Sequence, residues 1–160
     1  MVKKIKKWVE EGNTLITIAR GSSWAISKKL INESLVESKK DSTHPRKNYV
    51  DASEFIGRER IGGVILKADI DLTHPIAFGY NDNSIPVYKN NNVFINKTYN
   101  DYSSVATYSK DFHIDGYISE SNKKDFIPGS ASIIVSKIGS GRVVVFADNP
   151  NFRGTWYGTC

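Results

Sequence analysis

The candidate nucleophiles, bases and metal ligands of this sequence are three histidines, one cysteine and two adjacent serines that follow a glycine. They are His44, His74, His113, Cys160, Ser22 and Ser23. A serine nucleophile needs a histidine base within hydrogen-bond reach and a strained turn that exposes its hydroxyl. The Gly-x-Ser-x-Gly pattern of such a turn is absent, because Trp and Ala follow the two serines. Ser22 or Ser23 is therefore predicted to cap a helix, with a hydrolase or transferase that uses Ser22 as the alternative.

The three histidines do not have the spacing of a zinc site. None has an acidic residue three positions later at the start of an apolar helix, and the single cysteine cannot supply a set of thiolate ligands. No metal or cofactor is therefore predicted in this chain. His74, which precedes Pro75, is expected to be structural, with a ring nitrogen bonded to a backbone group.

Length and composition predict one globular domain. The chain has 160 residues, 39% of them hydrophobic and 24% charged. The net charge is +5, but the lysines are interspersed with acidic residues. No nucleic-acid-binding module is therefore predicted. A basic module that binds anionic polymers is an alternative. No apolar run approaches the roughly 20 residues of a membrane helix.

The chain must position these side chains with short elements that alternate between helix and strand. Two helices are predicted to flank a buried strand at residues 14–19. Near the end of the sequence, a Gly-Ser-Gly turn is predicted to join two strands as a hairpin. The second of these strands is predicted to be central in the sheet, because residues 143–146 are all apolar. An exposed loop is predicted at about residues 33–49. The predicted elements are helices at 3–11, 24–32 and 50–56 and strands at 14–19, 64–70, 85–88, 93–95, 103–108, 132–138 and 142–147.

Two segments resemble the reactive strands of class I glutamine amidotransferase-like domains. Residues 11–25 (EGNTLITIARGSSWA) are similar to the strand and turn that carry the cysteine nucleophile, and residues 143–152 (VVVFADNPNF) to the strand that ends in His-Pro-Glu. Ala19 stands at the cysteine position, and Asn149 and Asn151 stand where His and Glu are expected. The resemblance therefore implies a degenerate triad without catalytic residues.

A longer resemblance runs through nearly the whole chain. Residues 62–80 (GGVILKADIDLTHPIAFGY) and 139–159 (GSGRVVVFADNPNFRGTWYGT) are similar to the amidotransferase-like domain of bacterial zinc carboxypeptidase-like proteins of the carboxypeptidase A type. The resemblance implies an α/β fold with a doubly wound, flavodoxin-like sheet, helices on both faces and an added hairpin. It also implies a non-catalytic accessory domain, spanning residues 1–160, whose partner is the peptidase domain of the same polypeptide.

In that interpretation the chain is a truncated part of a longer metallopeptidase. Zinc and proteolysis belong to the missing peptidase domain, and the parent is expected to be secreted, periplasmic or on the cell surface. Ligands of open α/β sheets bind at the carboxyl ends of the strands. Arg20, Asp148 and Arg153 are therefore the candidate residues of a crevice or interface at that edge, either as an anion pocket or as structural ion pairs.

Overall fold

The computed structural model describes residues 1–37, 48–100 and 102–152. These residues form three α-helices, one turn of 3-10 helix at Pro75–Ala77 and one turn of π-helix at Asn122–Phe126. The α-helices are α1 (Val2–Glu10), α2 (Arg20–Ser27) and α3 (Tyr49–Glu59). The strands are β1 (Thr14–Ile18), β2 (Val64–Ile70), β3 (Ser84–Lys89), β4 (Ile95–Asn96), β5 (Ser104–Gly116), β6 (Ser130–Ile138) and β7 (Gly141–Phe146).

The strands form one mixed sheet in the order β1-β7-β6-β5-β2-β3, and β4 pairs with β6. β1 runs parallel to β7, with Ile18 opposite Phe146, whereas the other pairs are antiparallel. The predicted mixed α/β class is thus confirmed. The doubly wound arrangement is not confirmed, because it is built on parallel neighbours joined by helices and the described strands contain one parallel pair.

Two apolar clusters pack against the sheet, and β7 contributes to both. Val144 belongs to one cluster, and Val143 and Val145 belong to the other together with Val9 of α1 and Ile26 of α2. Successive side chains of a strand point to opposite faces, so an unbroken run of apolar residues indicates burial on both faces. The prediction that this strand is central is confirmed by its position between β1 and β6.

The same argument was wrong for β1. The sequence predicts a strand buried on both faces, but β1 lies at the edge of the sheet and Ile16 is 60% exposed. β-branched residues favour an extended backbone in either position. The apolar pattern of this strand therefore identified the element but not its neighbours.

Helix α2 begins earlier than predicted. It starts at Arg20 instead of Trp24, and Ala19 occupies the N-cap position without a side-chain hydrogen bond, so the prediction that Ser22 or Ser23 caps this helix was wrong. The helix ends at Ser27, and Lys29 adopts a positive φ of 53°. The tight turn after β1 thus leads directly into the helix, and no separate capping residue intervenes.

Strand β5 continues beyond its predicted end at residue 108. Its second half is mostly exposed and polar, with the sequence SKDFHIDG, so it lacks the alternation that identifies a half-buried strand. Pairing with β2, which matches Val64 with Gly116 and Ile70 with Ala106, holds this half extended. Tertiary pairing therefore overrides a weak local preference.

Several local predictions are confirmed. β2 has its predicted limits, and the Gly-Ser-Gly turn joins β6 to β7. A 3-10 turn, which is not among the predicted helices and strands, begins at Pro75. At that turn a side chain is excluded at Gly141, because an added Cβ would overlap the carbonyl oxygen of Val9. Part of the predicted loop at 33–49 is ordered: Leu35 bridges to Ile95, and α3 starts at residue 49. Residues 38–47 of that loop lie outside the described residues.

Candidate functional site

The turn between β1 and α2 is sharply strained at Ala19. This residue has φ 50° and ψ −113°, a combination that an L-residue with a Cβ adopts at a cost of about 1–3 kcal/mol. Its amide donates a 2.8 Å hydrogen bond to the carbonyl oxygen of Phe146, and its own carbonyl oxygen accepts from the amides of Ser22 and Ser23. A strained strand-to-helix turn is the local geometry that exposes a nucleophile in hydrolase-type sites.

This turn carries no nucleophile. The methyl group of Ala19 has no reactive atom, and the nearest hydroxyls before and after it in the sequence, those of Thr17 and Ser22, are both buried. The Oγ atom of Ser22 lies 2.7 Å from the carbonyl oxygen of Phe146 and 3.1 Å from Oγ1 of Thr17. These contacts tie α2 to the end of β7. Ser22 is therefore a structural residue in this geometry, and it offers no accessible hydroxyl to a substrate.

The structure brings the end of β7 beside this turn. Ile18 and Phe146 are paired, and Asn149 follows Phe146 by three residues. The backbone amide of Asn149 donates to the carbonyl oxygen of Tyr88, and its side-chain Oδ1 accepts from the amide of Asn151 at 3.1 Å. Asn149 thus stabilises its own turn, and its side-chain amide does not ionise near neutral pH, so it cannot take up a proton as a histidine would.

Of the candidate crevice residues, Asp148 is the one that the structure buries. It is 3% exposed, and its carboxylate accepts hydrogen bonds from Nζ of Lys89 at 3.2 Å, from the hydroxyl of Tyr108 at 2.6 Å and from Oγ of Ser132. We call these four residues the Asp148 cluster. Arg20 is exposed and Asn151 is exposed, while Arg153 lies outside the described residues. Asp148 therefore pairs with Lys89, and the structure shows no pairing of Asp148 with Arg20 among the residues described.

Lys89 lies completely inside the protein. Its Nζ atom donates to the carbonyl oxygens of Val93 at 2.6 Å and Ala147 at 3.4 Å as well as to Asp148, and it lies 4.7 Å from the centroid of the Phe94 ring. Burial lowers the pKa of Lys89, and the attraction of Asp148 opposes that change. Because all three protons of the ammonium group have acceptors, this lysine is positioned to hold backbone segments together and not to react.

Tyr108 shares the Asp148 carboxylate with Lys89. Its pKa is raised well above the usual value by burial, and the negative charge of Asp148 and the hydrogen bond to it act in the same direction. The phenol therefore remains a neutral donor. Through these hydrogen bonds the Asp148 cluster ties the turn after β7 to strands β3, β5 and β6 and so stabilises the fold.

A cavity of about 220 Å³ opens beside the cluster. Its walls are mostly apolar and come from β2, β3, β6 and β7 and from residues 148–150. The polar groups of Asp148 and Ser132 at its edge are already bonded to each other. The cavity has room for an apolar group. Its described lining residues include no group of side chains placed to hold a metal ion and no activated hydroxyl.

The histidines stand apart from this region. Nδ1 of His74 accepts a hydrogen bond from the amide of Ile76 at 3.2 Å, which confirms the predicted bond between a ring nitrogen and a backbone group. Nε2 of His113 lies 2.7 Å from the carbonyl oxygen of Gly116. His44 and Cys160 are outside the described residues. Within residues 1–37, 48–100 and 102–152, no group of three or more His, Cys, Asp or Glu side chains is placed to hold a metal ion. No helix in these ranges is long and apolar enough to cross a membrane.

Sequence reasoning missed Lys89 and Tyr108. A signal for Lys89 was present, because Ile85, Val87 and Lys89 alternate along β3 and must share one face. A lysine in phase with two apolar residues at the end of a strand is expected to need a buried partner. No comparable pattern identified which carboxylate that partner would be.

Comparison of the chain with protein-family models, with curated proteins and with solved structures finds no match. The resemblance to amidotransferase-like domains thus stays a prediction from the quoted segments.

Proposed function

We propose that this chain is a non-catalytic accessory domain of the class I amidotransferase-like type that serves a zinc carboxypeptidase-like protein. The observation that carries the proposal is the strained turn at Ala19, which lies beside the end of the parallel strand β7. Strain of this kind persists where the surrounding structure enforces it and is typical of active sites. Its presence at a residue with no reactive atom supports descent from a site that once held a nucleophile.

The second degenerate position supports the same conclusion. Phe146, at the end of β7, lies beside the turn, and Asn149 follows it by three residues, where the resemblance expects the histidine of a triad. Asn149 cannot act as a general base. A nucleophile restored at residue 19 alone would thus lack its activating partner, and we expect the chain to have no amidotransferase or hydrolase activity.

The finer fold belongs to this proposal. A doubly wound, flavodoxin-like sheet is the expected ancestor, and the β1–α2 unit beside a parallel strand is the part of the present sheet that supports it. The proposed partner is the peptidase domain of the same polypeptide, which would hold the zinc and perform the proteolysis. From the resemblance, such a parent is expected to be secreted, periplasmic or on the cell surface.

The size and activity of the native polypeptide test the proposal. An antiserum raised against residues 1–160 is applied to extracts and culture medium of the source cells, and the precipitate is assayed for carboxypeptidase activity with and without a chelator. We expect a polypeptide much larger than 17.9 kDa with activity that the chelator removes and zinc restores. Pre-immune serum is the control. A native polypeptide of 17.9 kDa without associated peptidase activity would contradict the proposal.

The inertness of the isolated domain is tested separately. The purified chain is assayed for glutamine hydrolysis and for ester hydrolysis beside its Ser22→Ala variant. We expect both proteins to match the buffer blank. Turnover by the unmodified chain that Ser22→Ala abolishes would favour the alternative of a serine hydrolase.

A further inference from the structure

The two edges of the sheet are built differently. β3 forms one edge and carries Pro86 in its middle, where it is exposed. A proline has no N–H group to offer an incoming strand, and this is a common way to protect an edge. β1 forms the other edge and has the sequence TLITI, with no proline, no charge and no bulge. Its central residue, Ile16, is 60% exposed.

The backbone of β1 offers unpaired groups at this edge. The amide of Ala19 donates to Phe146 and the carbonyl oxygen of Asn13 accepts from Arg142, so the odd-numbered residues direct their backbone polar groups toward β7. The even-numbered residues Thr14, Ile16 and Ile18 therefore direct theirs outward, since successive residues of a strand alternate. Among the described residues these outward groups have no backbone partner outside the β1–β7 ladder.

From this geometry we infer that β1 pairs with the β1 strand of a second copy of the chain, antiparallel about a two-fold axis at Ile16. This arrangement places Ile16 opposite Ile16 of the second copy and Thr14 opposite Ile18 of the second copy. Each such pair exchanges two backbone hydrogen bonds. The sheet becomes continuous through both copies, and the exposed Ile16 side chains meet on one face. A two-fold interface of this kind is closed and self-complementary.

The absence of charge from β1 allows a second copy to pair with it, and the opposite edge of the sheet prevents open-ended association. β1 contains no charged residue, so the two strands can approach without like charges facing each other. The rest of the molecule opposes association, because each copy carries a net charge of +5. Added salt screens that repulsion, so the dimer is expected to strengthen as the salt concentration is raised. The opposite edge is blocked by Pro86, which limits the assembly to two copies.

Light scattering and sedimentation of the 160-residue chain test this inference. The protein concentration is raised to about 1 mM, so that a dimer with a dissociation constant as weak as about 1 mM is detected. We expect the mass to rise from 17.9 kDa toward twice that value. Ile16→Lys is expected to weaken the association at least about tenfold, because an edge lysine opposes strand pairing. The matched control is Ile114→Lys, which changes an isoleucine that is 51% exposed on β5 and is expected to leave the association unchanged.

Hydrogen exchange supplies a second measurement that does not depend on a variant. The amides of Thr14, Ile16 and Ile18 are expected to exchange more slowly as the concentration of the unmodified chain is raised, whereas exposed amides elsewhere do not change. A chain that stays monomeric over the whole range would overturn the inference. So would a dimer that Ile16→Lys leaves intact, assemblies larger than two copies, or protection that appears away from β1. The inference is independent of the proposed accessory function.

Discussion

Removal of the Lys89 ammonium group should destabilise the fold more than any surface charge change. The Lys89→Met variant keeps most of the side-chain volume, but it leaves the buried carboxylate of Asp148 with hydroxyl donors alone. Removal of one partner from a buried ion pair costs about 3–5 kcal/mol. The carbonyl oxygen of Val93 also loses its 2.6 Å donor, whereas Ala147 keeps the amide of Asn91. We expect a total loss of about 4 kcal/mol in the free energy of unfolding.

A double-mutant cycle separates the pair from the packing around it. Asp148→Asn should cost about 2–3 kcal/mol, because the lysine keeps two carbonyl acceptors but loses its counter-charge. The double variant should be more stable than the sum of the two losses by at least about 1 kcal/mol, since the single changes each leave a buried charge unpaired. Free energies are obtained from urea denaturation followed by circular dichroism.

The control is Lys137→Met, which changes an exposed lysine on β6 and should alter the free energy of unfolding by no more than about 0.5 kcal/mol. A loss below about 1 kcal/mol for Lys89→Met would refute the reasoning. Strict additivity in the cycle would also refute it, because it would show that Lys89 and Asp148 do not interact across the 3.2 Å that separates them.

Three further results are expected. The pKa of Tyr108 is raised above its usual value of 10.0, so its contribution to stability is present below pH 10 and is lost as the pH rises toward the folded-state pKa. The difference in urea midpoint between the unmodified chain and Tyr108→Phe should therefore shrink at alkaline pH. A difference that stays constant with pH would contradict this. Ala19→Gly should raise the free energy of unfolding by about 1 kcal/mol by relieving the strained turn, and a destabilised variant in the same denaturation assay would argue against strain. Gly141→Ala should lower the melting temperature, at a cost of about 1–3 kcal/mol, because its methyl group would overlap the carbonyl oxygen of Val9; an unchanged melting curve would show that α1 can move away.

The sequence was a good guide where a local rule acts alone. The limits of β2 follow from its apolar alternation. The central position of β7 follows from its continuous apolar run. In each case the residue types determine the backbone without reference to distant parts of the chain.

Prediction failed where the outcome depends on which elements become neighbours. β1 has a sequence suited to a buried strand, but residues 1–37, 48–100 and 102–152 provide no further strand beyond it, and Ile16 is exposed. The second half of β5 is extended because β2 pairs with it. Such long-range pairings have no local signature in the sequence.

The candidate site shows the same division. Ala19 and Asn149 were expected at adjoining strand ends from the quoted segments. The structure does pair the ends of β1 and β7, but Asn149 lies three residues beyond β7 and its backbone amide bonds to Tyr88. The partner of Asp148 was not foreseen, because Lys89 is 59 residues away in sequence. Alternation along β3 could have shown that Lys89 shares the buried face of Ile85 and Val87, but not which carboxylate it meets.

The reactivity of a thiol at position 19 tests the central claim most directly, which is that the β1–α2 turn is a nucleophile turn that has lost its nucleophile. Ala19→Cys is made together with Cys160→Ser, and the rate of alkylation is measured against pH. A thiol exposed at a helix N-terminus has a pKa below the usual value of about 8.5. The account predicts such a lowered pKa and fast alkylation relative to Ser27→Cys, at the other end of α2, in the same background. A thiol that is protected from alkylation, or one whose pKa equals that of the Ser27→Cys control, would contradict it.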